Sequence, residues 1–104
     1  MTSKQRAYLK SLAMTMDPIL QIGKASVSPE VVTSVSEALE ARELIKISVL
    51  QNCLEEPAQL AQILEERCRA QVVQVIGRKI VLYRKSRDQK EQLWERKPNA
   101  DKKR

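Results

Sequence analysis

The stretch Q-V-V-Q-V-I-G-R-K-I-V-L-Y-R, residues 71–84, limits the possible folds more than any other. Two β-branched runs flank Gly77-Arg78. Glycine at the first central position of a two-residue connection marks a type II′ hairpin turn. An isolated two-stranded ribbon is marginal in water, so these strands need more strands or a helical layer to bury an apolar face. L-I-K-I-S-V-L, residues 44–50, supplies one strand. Ile45, Ile47 and Val49 face one way and Lys46 and Ser48 the other, which is the period of a β-strand. Ile19–Ile22 is a shorter candidate.

Helices fill the intervals. Ser3 is placed to cap a helix over 3–14, where Ala7, Tyr8, Leu12 and Ala13, with Leu9, make an apolar stripe and Lys4, Arg6 and Lys10 lie off it. Asp17-Pro18 ends that pattern. Ser28 and Pro29 give a helix start, cap then first-turn proline, and Val31, Val32, Val35, Ala38 and Leu39 carry its buried face to about Arg42. Beyond the connection 52–57, Leu60, Ile63, Leu64 and Cys68 stripe a third helix, ending near Arg69. The order α-β-α-β-α-β-β predicts a two-layer α/β domain with a mixed four-stranded sheet. The domain occupies 1–84. Residues 85–104 read as a basic C-terminal tail, mobile or weakly helical over 86–97 and stopped at Pro98. Leu93-Trp94 interrupt its polarity. Docking of Trp94 on its own domain and stacking on a base or a partner both remain open.

Charge is divided along the chain. Residues 1–29 hold four basic residues and one acidic, residues 30–66 two and eight, and residues 67–104 thirteen and four, for a net +6. A polarised chain of this kind steers a polyanion toward one side and holds it off the other. No apolar run is long enough to span a membrane, and the amino-terminal residues lack the apolar stretch of a signal peptide, so a cytoplasmic location is expected.

Catalysis is not expected. The sequence has no histidine, which removes the commonest general base near neutral pH and the Ser-His and Cys-His nucleophile arrangements. Glu55-Glu56 and Glu65-Glu66 are adjacent pairs that read as solvated faces rather than acid/base dyads. Cys53 and Cys68 do not have zinc-ligand spacing; Cys68 falls on an apolar helical face and reads as a core thiol. Neither a metal nor a cofactor is expected.

Gly23-Lys24, between the short strand and the second helix, is the segment with chemistry to weigh. A nucleotide P-loop requires G-x-x-x-x-G-K-[ST]; here Pro18 stands where the first glycine should be and Ala25 where Ser or Thr should hold magnesium. With two glycines in the chain, no G-x-G-x-x-G exists either. A backbone clamp fits better. Unsatisfied N–H groups at a helix N-terminus attract anions, Lys24 adds charge, Ser26 and Ser28 add hydroxyls, and Gly23 permits close approach. That is the logic of the G-x-x-G loop of KH domains. From this segment alone, the clamp and a plain turn both remain open. Base-stacking sheets such as RRM and OB surfaces are excluded for want of aromatics: there is no phenylalanine, and only Tyr8, Tyr83 and Trp94.

Four strings in order carry a resemblance: K-Q-R-A-Y-L-K-S-L-A at 4–13, P-I-L-Q-I-G-K at 18–24, E-A-L-E-A-R-E-L-I-K-I at 37–47 and V-Q-V-I-G-R-K-I-V-L-Y-R at 73–84. They resemble the CRM domain (chloroplast RNA splicing and ribosome maturation), in its stand-alone bacterial YhbY-like form, over about residues 3–84. The resemblance implies a fold similar to the C-terminal domain of bacterial translation initiation factor three. It also implies RNA binding and association with precursors of the large ribosomal subunit. The family's G-x-x-G loop falls on Gly23, Lys24, Ala25 and Ser26, with serine where the second glycine is usual.

The functional expectation is a non-catalytic RNA-binding protein of ribosome assembly. Precursor rRNA phosphates are expected on the Gly23–Ser28 loop, with Lys4, Arg6, Lys10, Arg78, Lys79 and Arg84 extending the positive surface on one face and the tail adding non-specific attraction. The alternative is a protein-interaction module. Its acidic helical face docks a basic ribosomal protein, and the tail alone touches RNA.

Overall fold

The computed structural model describes residues 2–85. Three helices and four strands follow in the expected order: α1 (Ser3–Ala13), β1 (Leu20–Ile22), α2 (Pro29–Arg42), β2 (Leu44–Val49), α3 (Pro57–Cys68), β3 (Gln71–Ile76) and β4 (Lys79–Tyr83). The sheet order is β1-β2-β4-β3. β1 runs parallel to β2, while β4 lies antiparallel to both β2 and β3, so the sheet is mixed. The expectations for the tail and Trp94 lie outside the described residues.

Local chemistry sets the element ends. Ser28 caps α2 by accepting from the Val31 N–H at 3.2 Å, with Pro29 at the first helical position. For α1 the cap is Thr2 rather than Ser3. The Thr2 hydroxyl accepts from the Gln5 N–H, and the Gln5 side chain accepts from the Thr2 N–H, making a capping box. The β3–β4 ribbon closes on Gly77-Arg78, with Ile76 opposite Lys79. Gly77 has φ +54° and Arg78 is not among the positive-φ residues, the pattern of a II′ turn.

The main core lies between the sheet and the α2–α3 layer. Ile22, Ile45, Ile47, Ile80 and Leu82 from the strands meet Val35, Leu39, Leu60 and Leu64, all fully buried. These are the inward faces anticipated from periodicity. α1 lies across the opposite sheet face and builds a smaller core there: Leu9 and Ala13 against Leu44, Val73, Val81 and Tyr83. Ala7, expected on the stripe, is exposed, and Met16 packs instead. A β-bulge serves this second core. Val72 pairs with Leu82 and Gln74 with Val81, leaving Val73 as the extra residue, 2% exposed beneath α1. β4 is therefore buried on both faces, with Ile80 and Leu82 in one core and Val81 and Tyr83 in the other. Among the described residues, no helix is long and apolar enough to cross a membrane.

Candidate nucleic-acid interface

The two parallel strands β1 and β2 both end at the same edge of the domain, and each passes through a loop into a helix. Their loops, 23–28 and 50–56, lie side by side there. In α/β sheets the carboxyl ends of adjacent parallel strands are where ligands bind. The loops touch: the Leu50 N–H donates to the Ile22 carbonyl at 2.8 Å. A β-carbon at Gly23 would meet Asn52 Oδ1 at 3.4 Å and Leu50 Cδ1 at 3.5 Å. Gly23 does not adopt a positive φ, and a β-carbon there would make ordinary contacts with the ends of two side chains, so the fold itself tolerates a side chain at this position.

The 23–28 loop is tightly wound. The Ser26 N–H donates to the Gly23 carbonyl at 2.9 Å, and the Ser28 N–H to the Ser26 carbonyl at 3.1 Å. Lys24 and Ala25 sit exposed at its tip. Ser26 takes φ +59°, the left-handed conformation that a glycine would take without strain. Its hydroxyl donates to the Glu55 carboxylate on the neighbouring loop. Serine thus reproduces the glycine backbone, and a side-chain hydrogen bond offsets part of the strain.

The basic residues divide into two kinds. Arg78 donates to the carbonyls of Val49 (3.0 Å), Leu50 (2.8 Å) and Cys53 (3.2 Å), bracing the 50–56 loop from the hairpin turn. Arg84 donates to the Ser36 carbonyl (2.9 Å), the Ser36 hydroxyl (3.2 Å) and the Cys68 carbonyl (2.7 Å), and pairs with Glu40 at 3.4 Å. It thereby satisfies a carbonyl at the last turn of α3 and ties it to α2. Arg6 donates to the carbonyls of Val72 (2.6 Å) and Val73 (3.0 Å) at the bulge. These three guanidiniums hold the fold's backbone.

Position separates the residues further. Arg84 follows the far end of β4, which runs antiparallel to β2, so it sits at the opposite edge from the two loops. Lys4 and Arg6, in the first turn of α1, lie beside the start of β3 at that same far edge. Arg78 and Lys79 lie at the loop edge, where the Val49 N–H bonds the Arg78 carbonyl at 2.7 Å. Lys79 is exposed and shares a hollow of about 200 Å³ with Lys46, Gln74, Ile76 and the C-terminal end of α1. Lys10 belongs to the last turn of α1, leading to that hollow. The structure therefore brings Gly23, Lys24, Ala25, Ser26, Ser28, Arg78 and Lys79 to one edge, with Lys10 flanking it, and leaves Lys4, Arg6 and Arg84 away from it.

Lys46 and Asn52 are additions that the sequence reading missed. Lys46 had a signal, since it is the outward residue of the β2 alternation. Asn52 had none, because its nearness to Gly23 follows from strand pairing alone. The two glutamate pairs do not form dyads: Glu55 bonds Ser26, and Glu65, half-buried rather than solvated, accepts from the Val72 N–H at 3.2 Å. No group of three or more His, Cys, Asp or Glu side chains among the described residues could hold a metal.

Comparison with known proteins gives this geometry a family. The model of the CRS1/YhbY (CRM) domain matches residues 1–84. The chain belongs to the CRM domain family. Among its relatives, the probable RNA-binding protein YqeI of Bacillus subtilis is 47% identical over 91 residues, covering 88% of this chain and 95% of that one. An RNA-binding protein of Haemophilus influenzae is 32% identical over 93 residues, covering 89% and 94%. The solution structure of the hypothetical protein SAV1595 from Staphylococcus aureus superposes with a TM-score of 0.73 at 47% identity, covering 86% of this chain and 94% of that one. The Gly23–Ser28 loop is thus set in a CRM domain, at the edge where both parallel strands end.

Proposed function

We propose that this CRM protein is a non-catalytic RNA-binding protein that acts in ribosome assembly on precursors of the large subunit. Phosphates of the RNA lie on the Gly23–Ser28 loop and the amino end of α2. Lys24 supplies positive charge at its tip and Lys79 at the same edge, Lys46 and Lys10 extend the charge over the α1 face of the sheet, and Arg78 holds the neighbouring loop in place. The tail adds attraction without sequence preference.

One observation carries this reading: an exposed lysine and the Ser28-capped start of α2 share one tight loop, in a chain whose relatives are named RNA-binding proteins. Helix dipole and cation act on the same anion there. The scarcity of aromatics in the chain, with no phenylalanine, supports recognition through backbone and shape rather than base stacking.

Crosslinking the protein to RNA in cells and reading the attached nucleotides tests the assignment. Enrichment on large-subunit precursor rRNA is the expected result. Crosslinks spread over unrelated transcripts would contradict it. A chain cut after Arg84 separates this reading from a protein-docking module. The cut chain, still folded by circular dichroism, retains RNA binding if the loop is the clamp and loses it if the tail alone touches RNA.

A further inference from the structure

Resting on the clamp reading above, we propose that the 50–56 loop is the base-reading half of the same site: Asn52 and Leu54 receive an unstacked nucleobase carrying an exocyclic amino group. Its neighbouring phosphates lie on the 23–28 loop.

The first ground is position. Asn52 Oδ1 stands 3.4 Å from the place a Gly23 β-carbon would occupy, so the Asn52 amide borders the loop that holds the phosphates. The second is rigidity. Arg78 binds two of the loop's carbonyls, Leu50 and Cys53, and that of Val49 just before it, the Cys53 N–H closes a turn on the Leu50 carbonyl at 3.1 Å, and Cys53 and Pro57 are buried. On this braced loop Leu54 is 97% exposed, with Leu50, 36% exposed, close beside Gly23. A loop held this firmly does not need a leucine in water for its own stability.

The third ground is charge. Glu55 and Glu56 follow Leu54 and are exposed. Carboxylates repel phosphate, and Glu55 is bonded to Ser26, so the RNA backbone is held to the exposed Lys24 tip of the 23–28 loop and its bases turn toward the 50–56 loop. Ionised carboxylates are acceptors only, and an amide both donates and accepts. Together they match base edges that present amino groups, as cytosine N4 does, better than uracil, which has none. Among the described residues, Tyr8 and Tyr83 pack in the small core, so the apolar contact offered at this loop is the aliphatic Leu54.

The test uses the full chain and fluorescence anisotropy with three single-stranded oligonucleotides of one length: oligocytidine, oligouridine and the abasic ribose-phosphate backbone. The expected order is cytidine tightest, then uridine, then abasic, with cytidine about tenfold tighter than abasic. Asn52→Ala combined with Leu54→Ser removes most of that cytidine advantage. Equal binding of cytidine and abasic oligomers by the native protein overturns the proposal. So does a double variant that keeps the advantage, or one that loses abasic binding to the same extent. The clamp reading fails separately, if Lys24→Ala leaves abasic binding untouched. Circular dichroism on each variant keeps unfolding from counting as either result.

Discussion

Arg78 and Lys79 are adjacent and carry the same charge, yet they do different work. The guanidinium offers five donors in a planar fork and here serves three carbonyls, while the exposed ammonium beside it keeps a compact hydrated charge available to a phosphate. Arg78→Ala should therefore lower stability by about 2 kcal/mol, roughly 10 °C of midpoint for a domain this small, and Arg78→Lys should recover only part of it. Lys24→Ala should change the melting midpoint negligibly, as surface substitutions do to within about 0.5 kcal/mol, while weakening RNA binding. Thermal unfolding and binding measured on the same variants separate the two roles. Ser26 gives a second prediction. Its left-handed backbone costs about 1 kcal/mol, so Ser26→Gly should leave stability nearly unchanged, whereas Ser26→Ala, keeping the strain and losing the Glu55 bond, should destabilise. Chemical denaturation of both variants checks this. The Cys68 thiol is pushed up by burial, with the Arg84 charge opposing the rise. In the unfolded chain it ionises at its ordinary value; in the fold it stays protonated to higher pH. Its contribution is whole below the ordinary thiol range and is lost as pH climbs through that range toward the folded value. The alkaline loss of stability should therefore be smaller in Cys68→Ala, measured by denaturant midpoints across pH. The charges of Arg6, Arg78 and Arg84 were legible in the sequence, but their carbonyl partners were not, since each partner lies far along the chain.

At the scale of elements, the strands and helices were readable because their periods differ and their ends carry chemical marks: Gly77 in the hairpin turn, Ser28-Pro29 at the start of α2. What escaped was how elements meet. Periodicity tells that α1 has an apolar face, but not which face of the sheet it covers. The bulge at Val73 hides inside an unbroken β-branched run, and Arg6, set off the apolar stripe of α1, turns out to fill the carbonyls that the bulge exposes. Arg6→Ala should then cost about 1–2 kcal/mol. The loss should be felt first by α1 and β3, and hydrogen exchange should record faster amides there, with β2 and α2 little changed. The adjacency of the 23–28 and 50–56 loops follows from parallel pairing of β1 with β2, which no local pattern announces. That is why Asn52 and Glu55 were invisible as parts of the site while Gly23 and Lys24 were not.

Over the whole molecule, the division of charge along the chain becomes a division in space that differs from the single positive face first expected. Among the described residues, Lys24 and Lys79 lie at the loop edge and Lys46 beside Lys79 in the sheet hollow, while Lys4 lies at the opposite edge, where Arg6 and Arg84 hold α1 and the α2–α3 pair to the strands. Arg6, Arg78 and Arg84 are turned to backbone carbonyls, which leaves Lys24 and Lys79 for a polyanion at the loop edge. Binding of this kind releases counterions, so affinity must fall with salt, and each lost phosphate contact removes part of that dependence. The direct test is a titration of the full chain with precursor rRNA across a salt series, for the native protein, Lys24→Ala, and Lys24→Ala with Gly23→Asp. The account predicts a steep salt dependence, a slope reduced by about one in Lys24→Ala, and a further loss of affinity in the double variant with the fold intact. Affinity that ignores salt and survives both substitutions would contradict it.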